Sequence, residues 1–179
     1  MKNLLQTLCG LFLVVFYSSC MNSGDNRVDV LIVGGGASGV TSGIQAARMG
    51  ANTLILEETT WLGGMLTSAG VSAVDGNYRL PAGLWGEFKN RLSDYYGGLD
   101  SLKTGWVSNV LFEPSVGNRI FHEMVSAEKN LKVWKQTRLE EVKRVGDEWI
   151  AKVNVEGQGT KTVRSKVMID ATELGDVAK

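Results

Sequence analysis

One stretch of the chain, DVLIVGGGASGVTSGIQAARMGANTLILEE from Asp29 to Glu58, constrains the fold more than any other. The apolar, β-branched run 28–33 predicts a parallel strand that is covered on both faces. It leads directly into three consecutive glycines, and a helical pattern then continues to Gly50. Residues Thr53–Leu56 predict a second strand. This order of strand, glycine turn, helix and strand predicts an α/β fold with a parallel sheet.

The glycines match the spacing G-x-G-x-x-G. In this pattern Gly34 permits a tight turn, Gly36 lets the backbone approach a pyrophosphate, and Gly39 lets the helix pack closely on the strand. Ala37 and Ser38 begin the helix, whose N-terminal amides and dipole would face the phosphates. The pattern therefore predicts that a dinucleotide binds at these residues.

Two acidic residues, Glu57 and Glu58, follow the second strand. An acidic side chain about 20 residues beyond the glycines accepts hydrogen bonds from an adenosine ribose and repels a 2′-phosphate. Glu57 is the better match to this spacing, and we include both residues in the predicted site. The acidic pair disfavours NADP and leaves NAD and FAD as candidates.

The segment WLGGMLTSAG, at 61–70, separates these two cofactors. It resembles the diglycine motif of flavoproteins that have the glutathione-reductase type of FAD domain. The resemblance implies that Gly63, Gly64, Met65 and Thr67 contact the cofactor, although Trp61 and Met65 stand near the places where that family has arginines. A plain loop turn is the alternative interpretation.

The C-terminal part supports the same resemblance. Residues 131–136 predict a strand, 139–145, 148–155 and 160–164 predict an antiparallel meander, and 167–169 predict a further strand. The segment DATELGD, at 170–176, then resembles the Ala-Thr end of the FAD domain and implies a contact from Thr172. Glu173 stands where the family has glycine. Asp176 is interpreted either as a flavin contact or as part of a turn or helix cap.

The resemblance spans residues 29–176 and points to a group of bacterial FAD-dependent oxidoreductases labelled xanthan-lyase-associated. It implies a Rossmann-like FAD/NAD(P)-binding domain with a parallel sheet and a β-meander, and flavin-mediated hydride or electron transfer on a small organic molecule. Because those proteins are several times longer, we expect residues 28–179 to be a C-terminally truncated FAD-binding domain, an incomplete and inactive part of an enzyme. An NAD-binding oxidoreductase and a non-catalytic nucleotide-binding lipoprotein remain alternatives.

The segment 71–112 is not explained by these motifs. Pro81 predicts the start of a helix that runs to about residue 96. Its apolar stripe is interpreted as core, and the loop 97–106 is a candidate lining for the flavin or for a substrate cleft. The stripe comprises Leu84, Phe88, Leu92 and Tyr95, and the candidate cleft groups are Asp75, Tyr78, Arg79 and Glu87. The next helix is predicted over 116–129, with Ser115 as its cap.

Composition excludes several kinds of chemistry. The only cysteines are Cys9 and Cys20, so the chain beyond them has no thiol nucleophile and no disulfide. His122 is the only histidine and is interpreted as structural, so no metal site is predicted. Lysine plus arginine number 19, as do aspartate plus glutamate, and no basic stripe indicates a nucleic-acid partner.

Residues 1–19 have the pattern of a signal peptide, with Lys2, an apolar run over 4–17 and two serines before Cys20. The apolar run is shorter than the roughly 20 residues that a transmembrane helix needs. The serines and Cys20 resemble a bacterial lipoprotein signal. This implies a lipid on Cys20, a tether over 20–27 and a membrane-anchored location in the cell envelope. Ordinary secretion and an uncleaved anchor are the alternatives.

Overall fold

The computed structural model describes residues 26–103 and 108–178. It contains a six-stranded sheet in the order β5-β2-β1-β8-β7-β6 and a separate pair, β3 and β4. The strands are β1 Asn26–Val33, β2 Thr53–Leu56, β3 Ala73–Val74, β4 Val110–Leu111, β5 Leu131–Trp134, β6 Thr137–Val145, β7 Glu148–Val155 and β8 Gly159–Asp170. The helices are α1 Ala37–Arg48, α2 Gly83–Tyr96 and α3 Pro114–Ser126.

Strand β1 lies at the centre of a parallel arrangement. It pairs in parallel with β2 on one side and with β8 on the other, and β2 pairs in parallel with β5. All four residues of β2 are buried, as are the last three of β1. Because both faces of these strands are covered, their sequences are continuous apolar runs and do not alternate. The predicted α/β fold with a parallel sheet is confirmed.

Strand β8 joins this parallel part to the antiparallel meander. It pairs with β7 over 159–165 and with β1 over 163–170, so its middle residues are paired on both sides. The prediction of two separate strands here was wrong. Ser165, at the predicted break, lies between Val28 of β1 and Trp149 of β7 and is fully buried. The meander itself is confirmed.

The sheet separates two hydrophobic clusters. On one face α1 and α3 pack against the sheet and α2 packs against α3, with Ile32, Ile44, Phe88 and Phe121 among the buried side chains. On the other face, Leu31 and Leu54 of the parallel strands pack with Val153 and Val163 of the meander. The carboxyl ends of β1, β2 and β8 meet at one edge of the sheet, beside the start of α1.

The helix α2 begins at Gly83, two residues later than predicted. Phe88 and Leu92 are buried as expected, but Tyr95 is 48% exposed, with the Arg119 guanidinium 4.3 Å from its ring centroid. Its neighbour Tyr96 packs against the core instead, and its hydroxyl accepts a hydrogen bond from the Glu113 backbone N–H at 2.9 Å. The predicted stripe is therefore correct up to the last turn.

The helix α3 and the strand β5 both end earlier than predicted. Glu113 is the N-cap residue of α3 and Pro114 is the first residue of the helix, so the prediction of Ser115 as the cap was wrong. Gln136 has a φ of 51°, a left-handed conformation that ends β5 before the predicted boundary. In the loop 97–106, residues Leu99–Leu102 form a 3-10 turn, and 104–106 lie outside the described residues.

No helix within 26–103 and 108–178 is long and apolar enough to cross a membrane. The predicted signal peptide, Cys20 and most of the tether lie outside the described residues.

Candidate dinucleotide-binding site

The glycine turn, residues 34–39, connects β1 to α1 in a space that only glycine fits at two positions. Gly34 has a φ of 101°, and a Cβ there would lie 2.4 Å from the carbonyl oxygen of Ala171, just after β8. A Cβ at Gly39 would lie 1.9 Å from the Gly34 carbonyl oxygen. These glycines therefore set the close approach of β1, α1 and the end of β8.

Gly36 differs from the other two glycines, because its surroundings are open. Its φ is −63°, and a Cβ there would meet no atom within 4 Å. Gly36 is the N-cap residue of α1. No side chain hydrogen-bonds to the N–H groups of the first turn as a cap, and the first turn has no acidic residue. The helix start, which includes Ala37 and Ser38, therefore presents its positive dipole end to a space that a phosphate fits.

Glu57, directly after β2, is held by two backbone N–H groups. Its Oε2 accepts a hydrogen bond from Gly35 and its Oε1 accepts one from Thr59, each at 2.7 Å. A carboxylate offers about four acceptor positions. These two bonds orient the group beside the glycine turn and leave acceptor positions for the hydroxyls of a ligand.

Glu58, the next residue, is placed differently. Its side chain is 60% exposed and pairs with Arg138 at the start of β6, with Nε and Oε1 3.5 Å apart. Glu58 and Arg138 line a cleft at the carboxyl ends of β1 and β8, called here the polar cleft because charged and polar side chains stand among its apolar ones. Glu58 therefore borders the site as part of a solvated ion pair, whereas Glu57 is fixed within it.

The diglycine segment lies directly against the glycine turn. The Gly63 N–H donates to the Gly35 carbonyl oxygen at 2.8 Å, and a Cβ at Gly64 would lie 3.0 Å from the Gly36 Cα. Met65 follows in a 3-10 turn, Gly64–Leu66, and is 62% exposed. The segment therefore lies close to the place where the sequence predicts a pyrophosphate.

Thr67 does not have the position that a direct cofactor contact requires. The residue is 1% exposed, and its hydroxyl donates to the Leu62 carbonyl oxygen at 2.6 Å. Its methyl group packs beneath Gly63. We therefore correct the predicted role, because Thr67 supports the diglycine turn from the buried side.

The segment after β8 forms a turn centred on Asp170. The Asp170 Oδ1 accepts a hydrogen bond from the Thr172 hydroxyl at 2.7 Å, and its Oδ2 accepts bonds from the backbone of Val177 and Ala178. Burial alone would raise the pKa of Asp170, but these hydrogen bonds outweigh it and lower the pKa below its usual value. The carboxylate thus fixes the loop that carries Thr172 and Asp176.

Within this loop, Thr172 and Asp176 both line the polar cleft. The Asp176 backbone N–H donates to the Thr172 hydroxyl at 2.8 Å, so the backbone of Asp176 belongs to the turn, as one of its two interpretations expected. Glu173 lies near the diglycine segment, with Oε1 3.9 Å from the Cβ position of Gly64. A carboxylate therefore stands beside the cradle where the resembling family has glycine.

Two clefts lie on either side of the glycine turn. The polar cleft has a volume of about 430 Å³, and Val33, immediately before the turn, is one of its lining residues. The apolar cleft has a volume of about 260 Å³, and Ala37 and Ser38, immediately after Gly36, are among its lining residues. Its other lining residues are Thr41, Leu66, Leu84, Trp85, Phe88 and Phe121. The first cleft has a mixed polar and apolar lining and the second a mainly apolar one, which suits a ligand whose two ends differ in polarity.

Trp85 lines the apolar cleft, but its one polar side-chain atom lies away from the accessible surface. Its indole N–H is buried and has no hydrogen-bond partner among the described residues. A buried donor without a partner costs about 1–3 kcal/mol. Because this N–H has almost no accessible surface, a ligand in the cleft would reach it only after a movement of the indole ring.

Among the remaining candidates, Glu87, Tyr78, Arg79 and His122 lie outside this site. Glu87 forms ion pairs with Arg48 at 2.9 Å and Arg91 at 3.3 Å. Tyr78 and Arg79 line a different cavity.

His122 is half-buried in α3, and burial, followed by the nearby charge of Lys135, lowers its pKa. No group of three or more metal-ligating side chains occurs in the part of the chain that the structure describes.

Sequence reasoning missed four residues of the site, and for different reasons. Gly35 could have been found from the run of three glycines, in which it is the middle one. The structure shows why it must be glycine, since a Cβ there would lie 2.8 Å from Glu57 Oε2. Asp170 was part of a recognised segment, but its hydrogen bonds depend on the folded turn. Arg138 and Trp85 reach the site from distant elements, and no local pattern marks them.

Comparison with known proteins gives a consistent result. A family model described as FAD dependent oxidoreductase matches residues 29–179, whereas no curated protein matches the chain. Among solved structures, a flavoprotein/dehydrogenase from Cytophaga hutchinsonii is 16% identical with a TM-score of 0.55, and covers 85% of this chain and 40% of its own. The bacillithiol disulfide reductase Bdr from Bacillus cereus is 15% identical with a TM-score of 0.55, covering 82% and 40%.

A third structure, the flavin-dependent monooxygenase PieE in complex with FAD and substrate, is 16% identical with a TM-score of 0.52. It covers 82% of this chain and 30% of its own, so the chain spans less than half the length of each of these three proteins. At such identities the likeness shows the fold alone, but the family model matches most of the chain. The chain therefore belongs to the FAD-dependent oxidoreductases, and the prediction of FAD as the cofactor is confirmed.

Proposed function

We propose that FAD lies extended across the glycine turn, with its adenosine in the polar cleft and its isoalloxazine ring in the apolar cleft. The observation that carries this proposal is the open position of Gly36 between the two clefts. A pyrophosphate at the start of α1 would be stabilised by the helix dipole and by first-turn N–H groups. The two ends of FAD also differ in polarity, as the two clefts do.

In this arrangement the predicted residues have distinct roles. Glu57 accepts hydrogen bonds from the adenosine ribose, since two backbone N–H groups already orient its carboxylate. Glu58 and Thr172 border the adenosine, and Met65 offers exposed apolar surface near the phosphates. The residues proposed to surround the pyrophosphate are Gly34, Gly36, Ala37, Ser38, Gly39, Gly63 and Gly64.

FAD, when bound, supplies the hydride or electron chemistry of the family. The residues of this chain bind and orient it. Leu66 and Phe88 form apolar walls that exclude water. We propose that the whole protein transfers hydride or electrons to or from a small organic substrate. Its WLGGM and DATE segments favour the xanthan-lyase-associated group.

The test is the absorbance spectrum of the purified full-length protein after incubation with FAD, with the released cofactor identified by chromatography. We expect a flavin spectrum and one FAD per chain. Gly36→Val should abolish FAD binding and leave the circular dichroism spectrum unchanged, because a Cβ here meets no atom within 4 Å and the branched side chain would occupy the space proposed for the pyrophosphate.

Gly76→Val is the matched control, since Gly76 is also an open position outside the left-handed region and is not among the residues that line the two clefts. It should keep full FAD binding. A folded Gly36→Val variant that retains FAD would refute the proposed placement of the pyrophosphate. A folded wild-type protein that fails to bind FAD and binds NAD would refute the proposal as a whole.

We propose further that the protein is exported and anchored to the membrane by a lipid on Cys20. The support is the signal-like composition of residues 1–19 and the two serines before Cys20. Incorporation of labelled palmitate in a bacterial host, and its loss in Cys20→Ala, is the expected result. Export without incorporation would favour ordinary secretion.

A further inference from the structure

A separate cavity of about 470 Å³ lies between α2, the loop before it and the 3-10 turn Leu99–Leu102. Three cationic side chains line it, namely Arg79, Lys89 and Lys103. Its volume is within the range of small-molecule sites, about 300–1,000 Å³. We propose that this basic cavity binds the carboxylate of a small organic acid.

Lys89 is the buried cation of this cavity. The residue is only 8% exposed, and its ammonium donates to the carbonyl oxygens of Tyr78 at 2.9 Å and Leu80 at 2.8 Å. An ammonium has three donors, so one is left over. No carboxylate lies within ion-pair distance of it in the described part of the chain. A buried positive charge without a negative partner is unfavourable, and an anionic ligand would supply the missing negative charge.

The other two cations differ in whether their charge is already neutralised. Lys103 pairs with Asp100 at 2.8 Å. Arg79 donates from Nε to the Tyr78 hydroxyl at 3.0 Å and has no carboxylate partner among the described residues. Lys89 and Arg79 therefore bring to the cavity two positive charges that no carboxylate of the described residues neutralises. A guanidinium can bind a carboxylate through two parallel hydrogen bonds.

The rest of the lining favours an organic anion over a bare inorganic one. Leu99, Leu102 and Val110 are apolar, and they would cover the hydrocarbon part of an acid. Trp85 lines the apolar cleft, and Lys89 follows it by one turn of α2, with Nζ 5.9 Å from the ring centroid. An acid at Lys89 would thus lie beside the cleft proposed for the flavin ring. Its role as substrate rests on the proposed function, whereas its binding does not.

The experiment is calorimetric titration of the full-length protein, prepared without FAD, with hexanoate, benzoate and succinate. Hexan-1-ol serves as the uncharged match to hexanoate, and inorganic phosphate as the competing anion. We expect at least one of the three acids to bind at one site per chain, with hexan-1-ol and phosphate at least about tenfold weaker. Binding of none of the acids, equal binding of the alcohol, or tighter binding of phosphate would overturn the inference.

Variants locate the site. Arg79→Gln and Lys89→Met should each weaken acid binding by at least about tenfold. Lys103→Gln should change it less than about threefold, because Asp100 already neutralises that charge, and Lys143→Gln on the exposed side of β6 should not change it. If Lys89→Met does not fold, exposed Arg79 decides the outcome, and unchanged affinity in Arg79→Gln would contradict the proposal. Separate titration of FAD distinguishes a failure here from a failure of the flavin site.

Discussion

At the scale of single residues, Glu57 and Glu58 show how backbone contacts separate two adjacent carboxylates. Glu57 is fixed by hydrogen bonds from Gly35 and Thr59, so the fold itself determines the direction of its oxygens. Among the described residues Glu58 has only the exposed pair with Arg138, and such pairs contribute about 0–1 kcal/mol. The preorganised residue should therefore contribute most of the binding energy at the ribose.

We predict that Glu57→Gln weakens FAD binding by about tenfold, equivalent to about 1.4 kcal/mol. The amide keeps the shape but replaces one acceptor oxygen by a donor, so one backbone N–H and one ribose hydroxyl lose their partner. The measurement is the dissociation constant of FAD by fluorescence titration.

Glu58→Gln is the matched control, and we expect its dissociation constant to change by less than about threefold. Equal losses in both variants would contradict the distinction drawn between the two carboxylates. A larger loss in Glu58→Gln would assign the ribose contact to that residue.

At the scale of elements, the position of α1 over β1 depends on two glycines of different kinds. A Cβ at Gly39 would meet the backbone of Gly34, which cannot move without displacing the glycine turn. A Cβ at Gly43 would lie 2.6 Å from the Ile55 Cδ1, the far end of a flexible side chain. The first contact is rigid and the second can adjust.

Accordingly, Gly39→Ala should lower the free energy of unfolding by about 3 kcal/mol, the upper part of the range for overpacking. For Gly43→Ala we expect a change of about 1 kcal/mol or less, because better helix propensity offsets part of the strain. Urea unfolding followed by circular dichroism measures both. If the two variants lose the same stability, the close contact of Gly39 with Gly34 does not control the helix position.

The elements that were predictable from the sequence are those with a strong local pattern. The glycine turn, β2 and the meander turns depend on neighbouring residues, and the structure has them as predicted. The continuous β8 was not predictable, because Ser165 interrupts the apolar pattern and only its pairing with both β1 and β7 keeps it in the strand. Thr67 and Trp85 show the same limit within the site, since the direction of a side chain depends on tertiary packing.

At the scale of the whole molecule, two titrating groups make stability depend on pH, one between elements that are distant in sequence and one within the loop after β8. His122 of α3 lies near Thr60 after β2 and near Lys135 after β5, and its pKa is lowered mainly by burial. Asp170 fixes the loop after β8, and its pKa is lowered by the hydrogen bonds it accepts, against the effect of burial. Both groups make the folded protein less stable in acid, but in different pH ranges.

The signs follow from proton binding. A histidine whose pKa is lower in the folded state than its unfolded value of about 6.5 binds more protons when unfolded, so stability falls as the pH drops below about 6.5. For Asp170, stability is present above the unfolded pKa of about 3.9 and is lost as the pH falls below that value. Of these two groups, only His122 therefore acts between pH 7.5 and pH 5.

We predict that the free energy of unfolding decreases from pH 7.5 to pH 5 and that His122→Gln makes this decrease smaller. Glutamine keeps a polar side chain of similar size but cannot become charged, so the cost of protonating a half-buried ring next to Lys135 disappears. Urea titrations at the two pH values measure the difference for both proteins. An equal decrease in His122→Gln would show that other groups cause the acid sensitivity, whereas below pH 4 both proteins should still lose stability together, because Asp170 is unchanged.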